Sequence, residues 1–277
     1  MRIARTLLIS AALASSALAQ DSKPAEQPAA GQPAAATPAA PEEPATPTPV
    51  PVPDLPIVKT TELEGGLIAE DMKIGEGYEV KAGGAVVAFY HGTLKKDGSR
   101  FDSAFERGEP IPFPLNGVIE GWQKGVPGMK VGGIRRLTIP AAMAYGERGA
   151  GEAVPPGADL VFVIQIVDAL QIEDIKVGDG EAASQRCVAV TSHVITDASG
   201  KEVEKVDASK PYVWIPGEFE GLQFGLEGMK VGGKRKLIVP KEMNFPPAQA
   251  PGTRPSGVPI TIEFELVAIR NIPGQRR

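Results

Sequence analysis

The sequence predicts an α+β protein made of two copies of one domain, each an antiparallel sheet wrapped around one short helix. Three observations predict it: a block of sequence recurs at a fixed offset, each copy contains several strand-like runs, and each contains one segment with helical spacing. The predicted boundaries are residues 1–19 for a signal peptide, 20–56 for a linker, and 57–170 and 171–277 for the two domains.

The first 19 residues have the order of an export signal. Arg2 and Arg5 give a charged start, residues 7–13 are apolar, and Ala17-Leu18-Ala19 forms a cleavage site of the A-x-A type. The apolar stretch is shorter than the roughly 20 residues that a membrane-spanning helix needs. We therefore expect an exported, periplasmic protein that is soluble after cleavage near Ala19 and has no membrane span.

Residues 20–56 are dominated by proline and alanine. Proline interrupts helices and sheet ladders, and this composition cannot bury enough apolar surface to offset the entropy of ordering. The segment is predicted to be a disordered, extended tether. A proline-rich ligand for an aromatic groove is the alternative interpretation. Because the segment lacks the heptad periodicity of a dimerisation helix, a monomer is expected.

The internal repeat defines the two domains. Residues 117–140 read GVIEGWQKGVPGMKVGGIRRLTIP, and residues 217–240 read GEFEGLQFGLEGMKVGGKRKLIVP. The hexapeptide GMKVGG at residues 128–133 recurs unchanged 100 residues later. Two copies of one fold are the simplest explanation of this similarity.

Each element of the first copy follows from its local pattern. Residues 85–90 predict a strand, residues 96–98 (KDG) a hairpin turn, and residues 100–103 the return strand. The spacing of the apolar residues predicts a short helix within residues 118–126. Residues 134–139 predict a strand that ends before Pro140. The continuous β-branched run at residues 160–167 predicts a central strand buried on both faces.

Composition excludes several classes of function. The chain has two histidines and the single cysteine Cys187, too few for a zinc site of His and Cys ligands, and Cys187 is expected to be a buried core residue. Nucleophile motifs such as G-x-S-x-G are absent from the sequence. The net charge of −5 becomes about −7 without the leader, which argues against a nucleic-acid partner. No cofactor and no metal are expected.

Six short motifs then indicate a family. They are Tyr90-His91-Gly92, Phe101-Asp102-Ser103, Val118-Ile119-Glu120-Gly121-Trp122, Ala144-Tyr145-Gly146, Val154-Pro155-Pro156-Gly157 and Leu160-Val161-Phe162. In this order and spacing, residues 68–168 resemble the FKBP-type peptidyl-prolyl cis-trans isomerases. The resemblance implies a five- or six-stranded antiparallel sheet around one short helix, with the active site between them, and thus two tandem FKBP-like domains.

The resemblance also implies which side chains form the site. The expected catalytic residues are Tyr90, Phe101, Asp102, Val118, Ile119, Trp122, Tyr145 and Phe162. Weaker substrate contacts are expected from Phe113 and Val154. Without the motif order, Phe101, Trp122 and Phe162 would be interpreted as ordinary core residues and Asp102 as a turn cap.

Two functions are compatible with this pocket. The first is isomerisation of Xaa-Pro bonds in proline-containing unfolded or exported polypeptides, which assists their folding; macrolide-type inhibitors are expected to bind weakly. The alternative is a non-catalytic periplasmic chaperone or binding module that uses the same groove. An intact aromatic set favours the enzyme, because a module that only binds chains does not need it.

The second copy keeps the frame and changes the pocket. At the 100-residue offset, Ile119, Trp122, Tyr145 and Phe162 become Phe219, Leu222, Phe245 and Ile262. In the less regular amino-terminal part, Tyr90, Phe101 and Asp102 align with Ser192, Val203 and Glu204. The second domain is therefore predicted to have no appreciable isomerase activity. Its basic run at residues 234–236 is expected to lie on a solvated edge strand.

Overall fold

The structure is a computed structural model that describes residues 47–184, 186–245 and 254–272. These belong to one compact unit, Thr46–Arg277. The expected signal peptide and residues 20–46 of the expected tether lie outside the described residues. Residues 47–56 have no regular secondary structure, and the Val50 amide donates a hydrogen bond to the Phe105 carbonyl at 2.7 Å. Part of the segment that composition assigns to the tether therefore contacts the first domain.

The first domain is a seven-stranded antiparallel sheet. Its strands are β1 (Lys59–Glu62), β2 (Ile68–Lys73), β3 (Ala85–Leu94), β4 (Arg100–Ser103), β5 (Ile111–Pro114), β6 (Ile134–Ile139) and β7 (Leu160–Ala169). The order is β1-β2-β6-β7-β3, and β4 and β5 both pair with the outer edge of β3. A four-residue helix, α1 (Ala104–Arg107), interrupts that outer edge between β4 and β5.

The second helix, α2 (Glu120–Gly125), packs against the sheet at β6. Close packing requires a glycine here, because a Cβ at Gly121 would lie 2.4 Å from the Ile139 Cγ2 atom. The helix begins at Glu120, so it is shorter than the predicted segment, and Val118 and Ile119 precede it in extended conformation. This leaves both side chains free to line a space between helix and sheet.

The second domain repeats this plan in six strands and one helix. They are β8 (Gln171–Lys176), β9 (Cys187–Asp197), β10 (Glu202–Val206), β11 (Tyr212–Trp214), α3 (Glu220–Leu226), β12 (Lys234–Val239) and β13 (Ile260–Asn271). The order is β8-β12-β13-β9, with β10 and β11 on the outer edge of β9. Among the described residues, β1 has no counterpart in this sheet, since β8 starts two residues after β7 ends.

The prediction of an α+β fold with two antiparallel domains is confirmed, and two finer predictions are wrong. β7 alternates between buried and half-buried residues, so it is not buried on both faces. The basic run at residues 234–236 lies on β12, an inner strand, because β8 covers its outer side; Arg235 is buried. The strand buried on both faces is the start of β3, because the second domain covers one of them.

Each domain has its own hydrophobic core, and β3 contributes to both. Val86 and Ala88 point into the first core, whereas Ala85 and Val87 join the second together with Leu170. Cys187 is buried in the second core as predicted, and burial raises the pKa of its thiol. In the described part of the chain, no helix is long and apolar enough to cross a membrane, and no group of His, Cys, Asp and Glu side chains is arranged to hold a metal ion.

Candidate active site

A cavity of about 350 Å³ opens between the first sheet and α2. It brings together all eight side chains expected at a catalytic site, and Phe113 as well. The residues lining it are Tyr90, Phe101, Asp102, Phe113, Gly117, Val118, Ile119, Trp122, Tyr145 and Phe162. Val154 does not line it: this residue is buried in the adjacent core, where its backbone bridges to Ala150.

The cavity is a product of the strand order. Because β4, β5 and β7 all pair with β3, residues far apart in sequence meet beside Tyr90. Trp122, on α2, is buried beneath them. Tyr145 follows β6 and is 38% exposed, so its ring stands at the rim. Ile119 comes just before the first residue of α2, so its amide is not used by an intrahelical hydrogen bond.

The aromatic rings pack edge to face rather than in a stack. Trp122 lies 5.8 Å from Tyr90, 5.4 Å from Phe113 and 5.4 Å from Phe162 between ring centroids, and the interplanar angles are 81°, 63° and 88°. Phe101 and Phe162 meet at 5.4 Å and 84°. Mutual edge-to-face contacts of this kind fix ring orientation. The result is a rigid, mostly apolar concavity with one carboxylate.

Gly92 allows two of these rings to approach the sheet. A Cβ at this position would lie 2.6 Å from Phe101 Cζ and 2.9 Å from Phe162 Cε1. Such distances require the rings to move, so the glycine sets the depth of the cavity. In the second domain the register places Ile195 at the corresponding position, since Gly92 pairs with Phe162 and Asp102 while Ile195 pairs with Ile262 and Glu204.

The carboxylate of Asp102 is held by two neighbouring side chains. The Tyr90 hydroxyl donates a short hydrogen bond to Oδ2, and Arg107 donates to Oδ1 at 2.5 Å. Arg107 also donates to the Tyr90 hydroxyl at 2.7 Å, and its guanidinium lies 5.5 Å from the centre of that ring. Sequence reasoning missed Arg107, although a basic residue in the turn after Phe101-Asp102-Ser103 was a usable signal.

Arg107 reaches Asp102 because α1 is capped at both ends. The Ser103 hydroxyl accepts a hydrogen bond from the Glu106 amide at 3.4 Å, and Gly108 ends the helix in the left-handed conformation. The same turn points Arg107 back toward β3. Asp102 therefore acts as an ion-pair partner, and not as the turn cap that its position alone would suggest.

These contacts set the protonation states of the site. Burial and the hydrogen bond to Asp102 raise the pKa of Tyr90 to about 12. Burial tends to raise the pKa of Asp102, but the hydrogen bonds from Tyr90 and Arg107 outweigh it and lower that pKa below its usual value. Burial and the Asp102 charge raise the pKa of Tyr145. At neutral pH the site holds one carboxylate and two protonated phenols.

The corresponding region of the second domain is filled. Phe219 and Phe245 stack at 4.4 Å between ring centroids, and Trp214 packs on both. Leu222, Ile262 and Ile195 are buried beneath them. Register corrects one predicted correspondence: Tyr90 pairs with Ile164 and His193 with Phe264, so Tyr90 corresponds to His193 and not to Ser192.

Arg254 completes this filling. It stands where the first repeat has Val154, and its side chain is 6% exposed. The guanidinium lies 4.7 Å from the ring centres of Tyr212 and Trp214, and it donates hydrogen bonds to both oxygens of Glu204. A second hydrogen-bond chain reaches the same carboxylate through His193 at 3.0 Å. The Glu204 carboxylate, which corresponds to Asp102, is thus bonded to Arg254 and His193 within the domain.

An antiparallel sheet around one short helix, with an aromatic cavity between them, is the architecture that the sequence motifs predict for the FKBP class. A family model described as FKBP-type peptidyl-prolyl cis-trans isomerase matches residues 77–167 and again residues 178–267. The chain therefore belongs to this family, and it is a peptidyl-prolyl cis-trans isomerase of the FKBP type.

Three curated relatives illustrate the similarity. A probable FK506-binding protein of Corynebacterium glutamicum is 48% identical over 103 residues, which cover 37% of this chain and 86% of that protein. The FK506-binding protein of Neisseria meningitidis serogroup B is 44% identical over 105 residues, covering 37% and 95%. The FKBP-type peptidyl-prolyl cis-trans isomerase FkpA of Aeromonas hydrophila is 46% identical over 110 residues, covering 40% of each chain. Each match is about the length of one domain.

Proposed function

We propose that the cavity of the first domain carries the isomerase activity of the chain and acts on proline-containing segments of unfolded, exported polypeptides. The observation that supports this assignment is the cavity itself, which is lined by seven of the expected side chains and by the fixed carboxylate of the eighth, Asp102. The second domain is proposed to lack the activity, because Ile195, Phe219, Phe245 and Arg254 fill the matching region.

The chemistry needs no nucleophile and no cofactor. Amide resonance places partial negative charge on oxygen and gives rotation a barrier of roughly 18–20 kcal/mol. The twisted transition state has lost this resonance and is less polar, so transfer of the Xaa-Pro bond from water to an apolar cavity favours it. An acceleration of about 10³ requires about 4 kcal/mol of differential stabilisation.

The residues in and beside the cavity have distinct roles in this mechanism. Trp122 forms the floor against which the proline ring packs, with Phe162 and Phe101 beside it. The Ile119 amide donates to the substrate backbone. Asp102 and the protonated Tyr145 hydroxyl interact with the rotating carbonyl group, and Arg107 and Tyr90 hold Asp102 in place. Phe113 extends the apolar wall.

The physiological role follows from the leader. Residues 1–19 have the order of an export signal, so we propose a periplasmic enzyme that assists the folding of exported proteins. Isomerisation of Xaa-Pro bonds takes tens of seconds without a catalyst and can limit folding. A monomer is proposed. Macrolide-type inhibitors are proposed to bind weakly, since the loop after Tyr145 is built of small and charged residues.

The test measures cis-to-trans interconversion of an Ala-Pro peptide by the full chain. Asp102→Ala and Trp122→Ala are each expected to reduce kcat/KM by about tenfold or more, the effect of losing a charged hydrogen bond or a large buried contact. Glu109→Ala, which removes an exposed carboxylate that does not line the cavity, serves as the control and should leave the rate unchanged. A folded wild-type chain that does not accelerate the reaction would favour the non-catalytic binding module.

A further inference from the structure

The second sheet ends in a strand whose counterpart in the first sheet is covered. β2 has β6 on one side and β1 on the other. Its counterpart β8 has β12 on one side and, among the described residues, no strand on the other. Exposed edges carry unpaired N–H and C=O groups that can accept a further strand.

β2 and β8 have nearly the same sequence, and each is bonded in the same way by an arginine of the neighbouring strand. Residues 70–73 read EDMK and residues 173–176 read EDIK. Arg135 binds Asp71 at 2.6 Å and the Gly125 carbonyl at 2.7 Å, while Arg235 binds Asp174 at 2.7 Å and the Gly225 carbonyl at 2.6 Å. The backbone that β1 recognises on β2 is therefore reproduced on β8.

The two strands differ in exposure, because β1 covers β2 and no described strand covers β8. The side chain of Asp71 is 8% exposed, and that of Asp174 is 46% exposed. Met72 is buried, whereas Ile175 at the corresponding position is 48% exposed, and Val177 just beyond it is 77% exposed. Many natural edge strands are protected by proline or by several lysines. β8 contains no proline, and its one lysine is its last residue, Lys176.

The domain cannot supply the missing strand from the preceding chain. Only Leu170 separates β7 from β8, while the first domain has β1 and a turn before β2. The β1 strand of a second copy is a poor source, because it already pairs with its own β2 and would leave that edge uncovered. The tether is a poor source because its frequent prolines cannot donate to a ladder.

We infer that the outer edge of β8 binds an extended segment of a substrate polypeptide as an additional antiparallel strand. That the segment belongs to a substrate rests on the proposed function; strand addition itself does not. β1 indicates the preferred chemistry, because Lys59 faces Asp71 and Thr60 faces Glu70. The segment is proline-free, β-branched at its centre and basic opposite Asp174, and main-chain hydrogen bonds supply the affinity.

The experiment uses the full chain and a capped, fluorescent peptide with the sequence of residues 57–62, IVKTTE. Saturable binding by fluorescence anisotropy is expected, and a Lys59→Glu peptide should bind about tenfold more weakly because like charges then face each other. No saturation by the wild-type chain, or equal binding of both peptides, would overturn the proposal.

Disulfide trapping tests the register. A peptide with cysteine in place of Thr60 should cross-link to a Glu173→Cys chain about tenfold faster than to a Lys205→Cys chain, since strand pairing brings those two positions together. Lys205 is exposed on β10, the other edge of the same sheet, and the buried Cys187 is common to both variants. Equal rates would contradict the assignment to β8.

Two further readouts separate this proposal from neighbouring ones. Isomerisation of a short Ala-Pro peptide should be the same in the wild-type and Glu173→Cys chains, so a failure of catalysis and a failure of strand binding give different results. Sedimentation of the wild-type chain should give a monomer. A dimer that Ile175→Pro dissociates would assign the edge to a second copy of the chain and overturn the proposal.

Discussion

At the scale of single residues, a small number of side chains separates an open cavity from a filled one. Gly92 in the first domain corresponds to Ile195 in the second, and Val154 corresponds to Arg254. The acid is retained as Asp102 and Glu204, but its partners differ. Arg107 holds Asp102 beside the cavity, whereas Arg254 occupies the space that a substrate would need.

Arg107 is predicted to be a positioning residue for Asp102. Arg107→Ala should lower kcat/KM by about tenfold, because a charged hydrogen bond is lost. It should also change the pH profile. Since Arg107 lowers the pKa of Asp102, the wild-type rate should stay constant down to about pH 5, and the variant rate should begin to fall at a higher pH.

The control for this prediction is Arg136→Ala, which removes an ion pair with Glu70 away from the cavity. It should leave both the rate and the pH profile unchanged. A purely structural role for Arg107 would lower the amount of folded enzyme without moving the profile, and that outcome would refute the positioning role.

Gly92→Ala is predicted to reduce isomerase activity by about tenfold or more while the domain stays folded. The new Cβ would displace Phe101 and Phe162 from the cavity wall, and small displacements in a catalytic site are costly. Gly98→Ala is the matched control, because Gly98 has a positive φ in an open turn. It should cost about 1 kcal/mol of unfolding free energy without changing the activity per folded molecule.

At the scale of elements, the sequence predicted strand positions well because strands follow from local composition. Residues 134–139 are β6, and residues 100–103 are β4. The sequence could not predict the burial of β3 on both faces, since that depends on the second domain. It also misplaced Tyr90 against Ser192, because the hairpin from β9 to β10 is one residue shorter than the hairpin from β3 to β4: Gly92 pairs with Asp102 and Ile195 pairs with Glu204.

The candidate site could be predicted to a similar extent. The family motifs gave eight catalytic candidates, and the fold places all eight around one cavity. Val154 lies in the core beside the cavity and does not line it, because its motif forms a loop that bridges back to Ala150. Arg107 and Gly92 were missed because their roles are contacts across strands, which spacing along the chain does not reveal.

A buried chain of hydrogen bonds that links β11, β9 and β10 is predicted to make the second domain sensitive to acid. Trp214 donates to the Thr191 hydroxyl, Thr191 bonds His193, and His193 bonds Glu204, an order that fits a neutral His193 with its proton on Nε2. Burial lowers the pKa of His193 below its usual 6.5. The unfolded chain therefore binds more protons than the folded one as the pH falls through about 6.5.

Stability of the second domain is thus predicted to be complete above about pH 6.5 and to decline below it. The measurement is urea unfolding followed by Trp214 emission in a Trp122→Phe background, since the chain has two tryptophans. His193→Gln should flatten the decline between about pH 7.5 and 5. His91→Gln, in the first domain, should leave it in place, and a decline unaffected by His193→Gln would disprove this origin.

At the scale of the whole molecule, the two domains share packed side chains in addition to the covalent connection at Leu170. The start of β3 divides its side chains between the two cores, and the Leu170 amide donates to the Ala85 carbonyl at 2.9 Å. The repeat in the sequence predicted two units but not this shared strand. A cut at residue 170 would expose part of the second core.

Val86 and Val87, neighbours on β3, offer a matched test of this packing. Val87→Ala should lower the unfolding free energy of the second domain, followed by Trp214 emission, by about 1–3 kcal/mol. Val86→Ala should act mainly on unfolding of the first domain, followed by Trp122 emission. The opposite assignment, or no effect of Val87→Ala on Trp214, would show that the second core does not depend on β3.

The central claim is that one cavity accounts for all isomerase activity. The most direct measurement is the cis-trans exchange rate of an Ala-Pro peptide with the full chain carrying both Asp102→Ala and Trp122→Ala, while Trp214 emission monitors folding of the second domain. We predict that the rate falls to that of the peptide alone. A folded double variant that retains more than about a tenth of the wild-type kcat/KM, a loss of under about 1.4 kcal/mol, would contradict the account.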